Sequence, residues 1–156
     1  MKNINLKSKN SGFTFIELLI LVSIIGIFSA VGYSAYDDYA QNKKAEAAFD
    51  GLSIYRMAVS MCYKKQHSLQ DCDSGKNGIP SDLNQEDNKF VYIENVYVNK
   101  GVITSRFEAK DKNKNNIDVV LIPNFKEDKM NWEVKCSDIN EQSKDSYIDE
   151  CVTPLK

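Results

Sequence analysis

Few residues of this 156-residue chain have the type and spacing to do chemistry. Glu17 is the one acid in the 24 residues from Phe13 to Tyr36, a stretch with no Lys or Arg. A carboxylate in such a run calls for a partner, because an unpaired charge in apolar surroundings is strongly disfavoured. Cys62, Cys72, Cys136 and Cys151 all lie downstream of it, where they can pair as disulfides or ligate a metal. Asp111, Asn113, Asn115 and Asp118 offer oxygen donors at near-alternating positions, as a calcium loop does. His67 is the single histidine, and nothing beside it makes a nucleophile pair.

The bland readings of most of these groups are stronger. Zinc knuckles need cysteines two to four residues apart, and no gap here is that short. In the calcium comparison Asn116 replaces the turn glycine and Ile122 takes the place of the bidentate acid, so a solvated hairpin loop is preferred. Lys64, Lys65, Lys110, Lys112 and Lys114 could line a groove for DNA, but the interleaved Asp and Asn mark ordinary solvated turns. No constellation in residues 65–156 supports an anchored enzyme, and no cofactor is expected.

Charge is distributed unevenly. The chain carries a formal −2, yet Lys2, Lys7 and Lys9 fall in the first twelve residues, which leaves 17 basic and 22 acidic residues beyond them, or −5. That balance disfavours a large nucleic-acid footprint. A basic amino end before an apolar run of membrane-spanning length predicts an N-in, C-out orientation, with residues 37–156 translocated and disulfides permitted. Three fates fit the run: a plain anchor, a signal peptide cut after Ala30-Val31-Gly32, or a segment cut on its cytoplasmic side and moved into a polymer. The apolar stretch is too long for the usual signal-peptide core, and a plain anchor leaves Glu17 unexplained.

The elements that must position these groups follow from periodicity. Ala45, Ala48, Phe49, Leu52, Tyr55, Val59 and Cys62 recur at spacings of three and four, which predicts that the amino-terminal helix continues amphipathically to about residue 64. Gly51 and the Asp37-Asp38 pair are its weak points, so two consecutive helices remain open. Residues 71–89 read as loop. Phe90–Val98 and Gly101–Ala109 read as a hairpin about Asn99-Lys100, followed by strands over Ile117–Ile122 and Met130–Cys136 divided by a turn at Pro123-Asn124 and a charged stretch at Lys126-Glu127-Asp128. The class is α+β: a long helix over a four-stranded antiparallel sheet.

The string Ser11-Gly12-Phe13-Thr14-Phe15-Ile16-Glu17-Leu18-Leu19 resembles the processing motif of type IV prepilins, and the order of the later elements is similar to the pilin globular domain. The resemblance implies a type IV pilin fold with three parts: a cleaved leader over 1–12, a transmembrane and filament-core helix over 13–36, and a globular domain over 37–156. It implies a peptidase cut between Gly12 and Phe13, N-methylation of Phe13, and Glu17 as the fifth mature residue, whose carboxylate pairs with the new amine at Phe13 of the same or a neighbouring subunit. It favours a Cys136–Cys151 disulfide bounding a carboxy-terminal loop, which leaves Cys62 with Cys72. The implied partners are other pilin subunits, prepilin peptidase, the assembly machinery of the inner membrane, minor pilins and the membrane itself, with DNA a weaker candidate. The implied location is the bacterial inner membrane, then an extracellular pilus serving adhesion, twitching motility or DNA uptake. The alternative is a type II secretion pseudopilin or a minor pilin. One departure is Ser34, where the family usually has proline.

Overall fold

The computed structural model describes residues 13–83, 92–126, 129–139 and 145–152. The expected leader over 1–12 with Gly12, the expected strand start at Phe90 and Val91, the expected turn residues Glu127 and Asp128, and the end of the expected 71–89 loop lie outside the described residues. The chain divides into two units, Met1–Asp37 and Asp38–Lys156.

Helix α1, Phe15–Gly51, begins in the first unit. No proline occurs before Pro80, so no residue of the run lacks the N–H that the helical ladder needs, and its β-branched Ile and Val lower helix propensity only slightly. The Ser23 and Ser29 hydroxyls donate back to the carbonyls of Leu19 and Ile25, both at 2.7 Å, so neither hydroxyl is left unsatisfied in an apolar stretch. Among the described residues no helix is long and apolar enough to cross a membrane.

In the second unit α1 continues to Gly51 and is followed by α2, Ser53–Gln66. The interruption is one residue wide. Leu52 keeps right-handed helical dihedrals, but its N–H donates to Phe49 three residues back, which tightens the turn beside Gly51. Of the two weak points read from the sequence, Gly51 therefore marks the break and the Asp37-Asp38 pair does not. Ala45, Ala48, Phe49, Leu52, Tyr55, Val59 and Cys62 are all buried, as the helical spacing predicts.

They pack on an antiparallel sheet of order β1-β2-β3-β4: β1 Ile93–Asn99, β2 Val102–Lys110, β3 Asn116–Lys126 and β4 Lys129–Cys136. Ile103, Ser105, Phe107 and Ala109 alternate inward from β2, and Ile117, Val119 and Leu121 from β3, so one sheet face joins the core. Ser105, the buried polar member, donates its hydroxyl to the Asn95 carbonyl at 2.9 Å.

Pro123 is a correction to the expected turn at Pro123-Asn124. It lies within β3 and pairs with Trp132 of β4. The reason is register: β2 pairs with β3 only as far as Ile103 and Leu121, so residue 123 lies where β3 has a neighbour on one side, the edge position in which a strand tolerates proline.

The β1–β2 turn holds Lys100 and Gly101 at φ 48° and 78°, the two left-handed positions of a type I′ hairpin. The Gly101 N–H donates to the Cys72 carbonyl at 2.8 Å, and a Cβ there would lie 2.7 Å from Leu69 Cδ2. Gly101→Ala combines left-handed strain with that overlap. It is expected to cost about 1–2 kcal/mol, read as a drop of roughly 5 °C in the midpoint of thermal unfolding. An unchanged midpoint would show that the turn does not depend on glycine.

Candidate functional site

The amino-terminal turn of α1 carries the first group of interest. Glu17 Oε2 accepts from the Thr14 N–H at 3.0 Å and from the Thr14 hydroxyl at 2.9 Å, while the Glu17 N–H donates to Thr14 Oγ1 at 3.4 Å. This reciprocal pair is a capping box, which satisfies donors that the first helical turn otherwise leaves open. The sequence reading assigned Glu17 to the amine at Phe13 of the same or a neighbouring subunit and overlooked this second partner, although Thr14-Phe15-Ile16-Glu17 has the Thr-x-x-Glu form that announces it. Around this polar cap the side chains of Phe13, Phe15, Ile16, Leu18, Leu19, Ile20, Leu21, Val22, Ile24, Ile25, Ile27 and Phe28 are all exposed. A run of that size uncovered on one segment marks an interaction surface.

The cysteines form two disulfides, Cys62–Cys72 and Cys136–Cys151, with Cα atoms 6.0 and 5.8 Å apart. The first is buried and ties the end of α2 to the loop over residues 67–83. The second is half-buried and ties β4 to α3, Asp149–Val152. Asp138 lies beside Cys136 and Cys151, but both sulfurs are committed to the disulfide. The carboxylate of Asp138 accepts from the Ser146 hydroxyl at 2.9 and 3.0 Å and from the Tyr147 N–H at 2.9 Å, which holds the carboxy-terminal segment in place.

The oxygen donors of the calcium-like series do not converge. Asp111 Oδ1 accepts from the N–H groups of Asn113 and Asn115, both at 2.8 Å, an arrangement that shapes the β2–β3 turn. Asp118 instead holds Arg106 across the strands at 2.7 and 3.2 Å, and that carboxylate raises the guanidinium pKa further above its ordinary value. Asp111 and Asn113 line one depression of about 200 Å³, together with Asp138 and Tyr147, whereas Asn115 and Asp118 line another. Asp73, which the sequence reading had left inside a loop, braces the first hairpin. Its carboxylate accepts from the Lys100 N–H at 2.9 Å and from Lys76 at 3.1 Å, and these donors hold its pKa below the usual carboxylate value. His67 ends α2 in a left-handed cap, its N–H bonded to the Tyr63 carbonyl.

Residues 7–33 match the family model described as the prokaryotic N-terminal methylation motif. The chain is 33% identical over 117 residues to prepilin peptidase-dependent protein D of Escherichia coli (strain K12), covering 75% of each. It belongs to the type IV pilin family. The pilin is also 32% identical over 103 residues to the type IV major pilin protein PilE of Neisseria gonorrhoeae, covering 66% of this chain and 59% of that one. It is 38% identical over 72 residues to the type IV pilus subunit protein TapA of Aeromonas hydrophila, of which it spans about half the length. The solution structure of the major type IV pilin PpdD from enterohemorrhagic Escherichia coli superposes with a TM-score of 0.51 at 22% identity, over 75% of this pilin and 81% of that chain, a likeness of fold. The family consists of structural subunits, and the pilin is one of them rather than an enzyme.

Proposed function

We propose that this pilin is a structural subunit of a type IV pilus and polymerises through its amino-terminal helix after its leader is removed. Hydrolysis of the Gly12–Phe13 peptide bond frees the glycine carboxylate of the leader and the amine of Phe13, which is then N-methylated. Before the cut the segment over 13–36 resides in the inner membrane with the leader on the cytoplasmic side, a reading that rests on the basic leader and the amino-terminal motif. The assembled subunit is extracellular. Its partners are further pilin copies, prepilin peptidase, the inner-membrane assembly machinery and minor pilins; adhesion, twitching motility or DNA uptake is the task the fibre serves.

The observation that carries this reading is the uncovered apolar surface of α1, headed by a single carboxylate one helical turn from the processed end. In lipid those side chains already avoid water, so moving them into a fibre exchanges one apolar setting for another, and packing together with the Glu17 carboxylate decides the outcome. Residence in lipid and polymerisation are thus two uses of one surface.

The test is intact mass and amino-terminal analysis of fibres sheared from cells. The dominant chain is expected to begin with N-methylated Phe13. Fibres whose subunit keeps the first twelve residues, or begins after Gly32, would refute the reading.

A further inference from the structure

The two disulfides differ in what stands beside them. The sulfurs of Cys136 and Cys151 and a carboxylate oxygen of Asp138 all lie within 4.8 Å of one another, and the three residues are half-buried. Donors bound to one zinc ion at about 2.0–2.3 Å stand roughly 3–4 Å apart, so these three need only a small contraction to share an ion. Asp138 also lines the depression of about 200 Å³, through which an ion can reach it from solvent. Cys62 and Cys72 are buried, and Asp73 beside them holds Lys100 and Lys76 instead. Among the described residues no other set of three such donors comes together.

Contacts other than the bond hold these residues in place. Cys136 closes β4, and Asp138 follows it two positions later. The segment that carries Cys151 is anchored separately: Ile148 is buried, the Tyr147 hydroxyl donates to Asp38 Oδ1 at 3.0 Å, and Asn42 Nδ2 donates to the Tyr147 carbonyl at 3.4 Å. The same segment donates the Ser146 hydroxyl and the Tyr147 N–H to the Asp138 carboxylate, which orients it as outer hydrogen bonds orient a metal ligand. A chain whose two thiols are free therefore keeps both sulfurs and the carboxylate together.

We propose that Cys136, Cys151 and Asp138 form a zinc site while the disulfide is open, as it is in a newly made chain before oxidation. Zn²⁺ displaces the two thiol protons, and two thiolates with one carboxylate leave a single negative charge and a fourth position for water. Thiolate donors select zinc over calcium or magnesium, which take oxygen ligands. Ion and disulfide exclude each other because both use the same two sulfurs, and either one ties β4 to α3. Bound zinc holds the carboxy-terminal segment in its folded place until a disulfide donor takes two electrons from the sulfurs and the ion leaves. The site belongs to the folded domain and does not rest on the proposed fibre.

Cadmium and zinc salts test this on the full chain in detergent. A trialkylphosphine opens the half-exposed bond: phosphorus gives up two electrons and takes the oxygen of a water molecule, whose two hydrogens end on the Cys136 and Cys151 sulfurs. Chains in which thiol trapping finds Cys62–Cys72 still closed are then titrated. Cd²⁺ is expected to bind one ion per reduced chain with a thiolate-to-cadmium ultraviolet band, to be displaced by Zn²⁺, and to give no such band with the oxidised chain. Zn²⁺ is expected to slow alkylation of Cys136 and Cys151 by roughly tenfold or more, since a coordinated thiolate is withheld from the reagent. Asp138→Asn keeps an oxygen for the Tyr147 N–H but loses the charged ligand, and is expected to weaken Zn²⁺ binding by roughly tenfold or more while the oxidised variant keeps its thermal midpoint. A reduced, unaltered chain that gives no cadmium band and alkylates equally fast with and without Zn²⁺ would overturn the site, and so would an unchanged Zn²⁺ affinity in Asp138→Asn.

Discussion

Glu17→Ala is expected to leave cleavage at Gly12–Phe13 intact while fibre yield falls by roughly tenfold or more, because an amine with no carboxylate to meet it in a dry core is strongly disfavoured. Cleavage is read by the mass of the membrane-bound chain and yield by the protein sheared from an equal cell mass, in cells lacking the unaltered subunit. Two roles of the side chain must be separated. Alanine removes the charge and also the acceptor for the Thr14 N–H and hydroxyl. Glu17→Gln keeps an oxygen that can close the capping box but carries no charge. If the charge sets the stagger, glutamine behaves like alanine; if glutamine restores fibres, the carboxylate serves only to cap the helix.

Replacing both Cys62 and Cys72 by serine has the largest expected effect on the folded domain. The disulfide closes an interval of ten residues, and its removal is expected to cost about 2–4 kcal/mol, a fall on the order of 10 °C in the thermal midpoint. Both cysteines are buried, so the variant also places two hydroxyls in the core. The loop it frees supplies the Cys72 carbonyl that accepts from Gly101 and the Asp73 carboxylate that accepts from Lys100, so the β1–β2 turn loosens with it. Breaking Cys136–Cys151 in the same way acts on β4 and α3. Because that bond is half-exposed, mild reductant without denaturant is expected to open it first, followed by thiol trapping and mass spectrometry. A thermal midpoint unmoved by the Cys62 and Cys72 replacement would mean that packing alone holds the loop.

Both outcomes depend on features of different legibility. The sheet was readable in number and order of strands, and its first turn in position, since Asn99-Lys100-Gly101 sits between two β-branched runs. Strand limits were less so. Proline ordinarily marks a turn, and only the pairing of β3 with β4 beyond the reach of β2 explains why Pro123 continues a strand. The four oxygen donors looked like one series along the chain, yet a hairpin turn engages Asp111 while the strand beyond sends Asp118 to Arg106.

By itself, the order of residues determined the processing motif, the apolar amino-terminal run with its lone acid, and the buried face of the helices, because each is a pattern over neighbours a few positions apart. Tertiary structure decided where Pro123 falls, how Asp73 braces a hairpin 27 residues away, and that Ile54, Met57 and Met61 stay uncovered. The physical reason is range: helical periodicity and capping act within a turn or two, whereas strand register, charge partners and exposure depend on what the fold brings from distant parts of the chain.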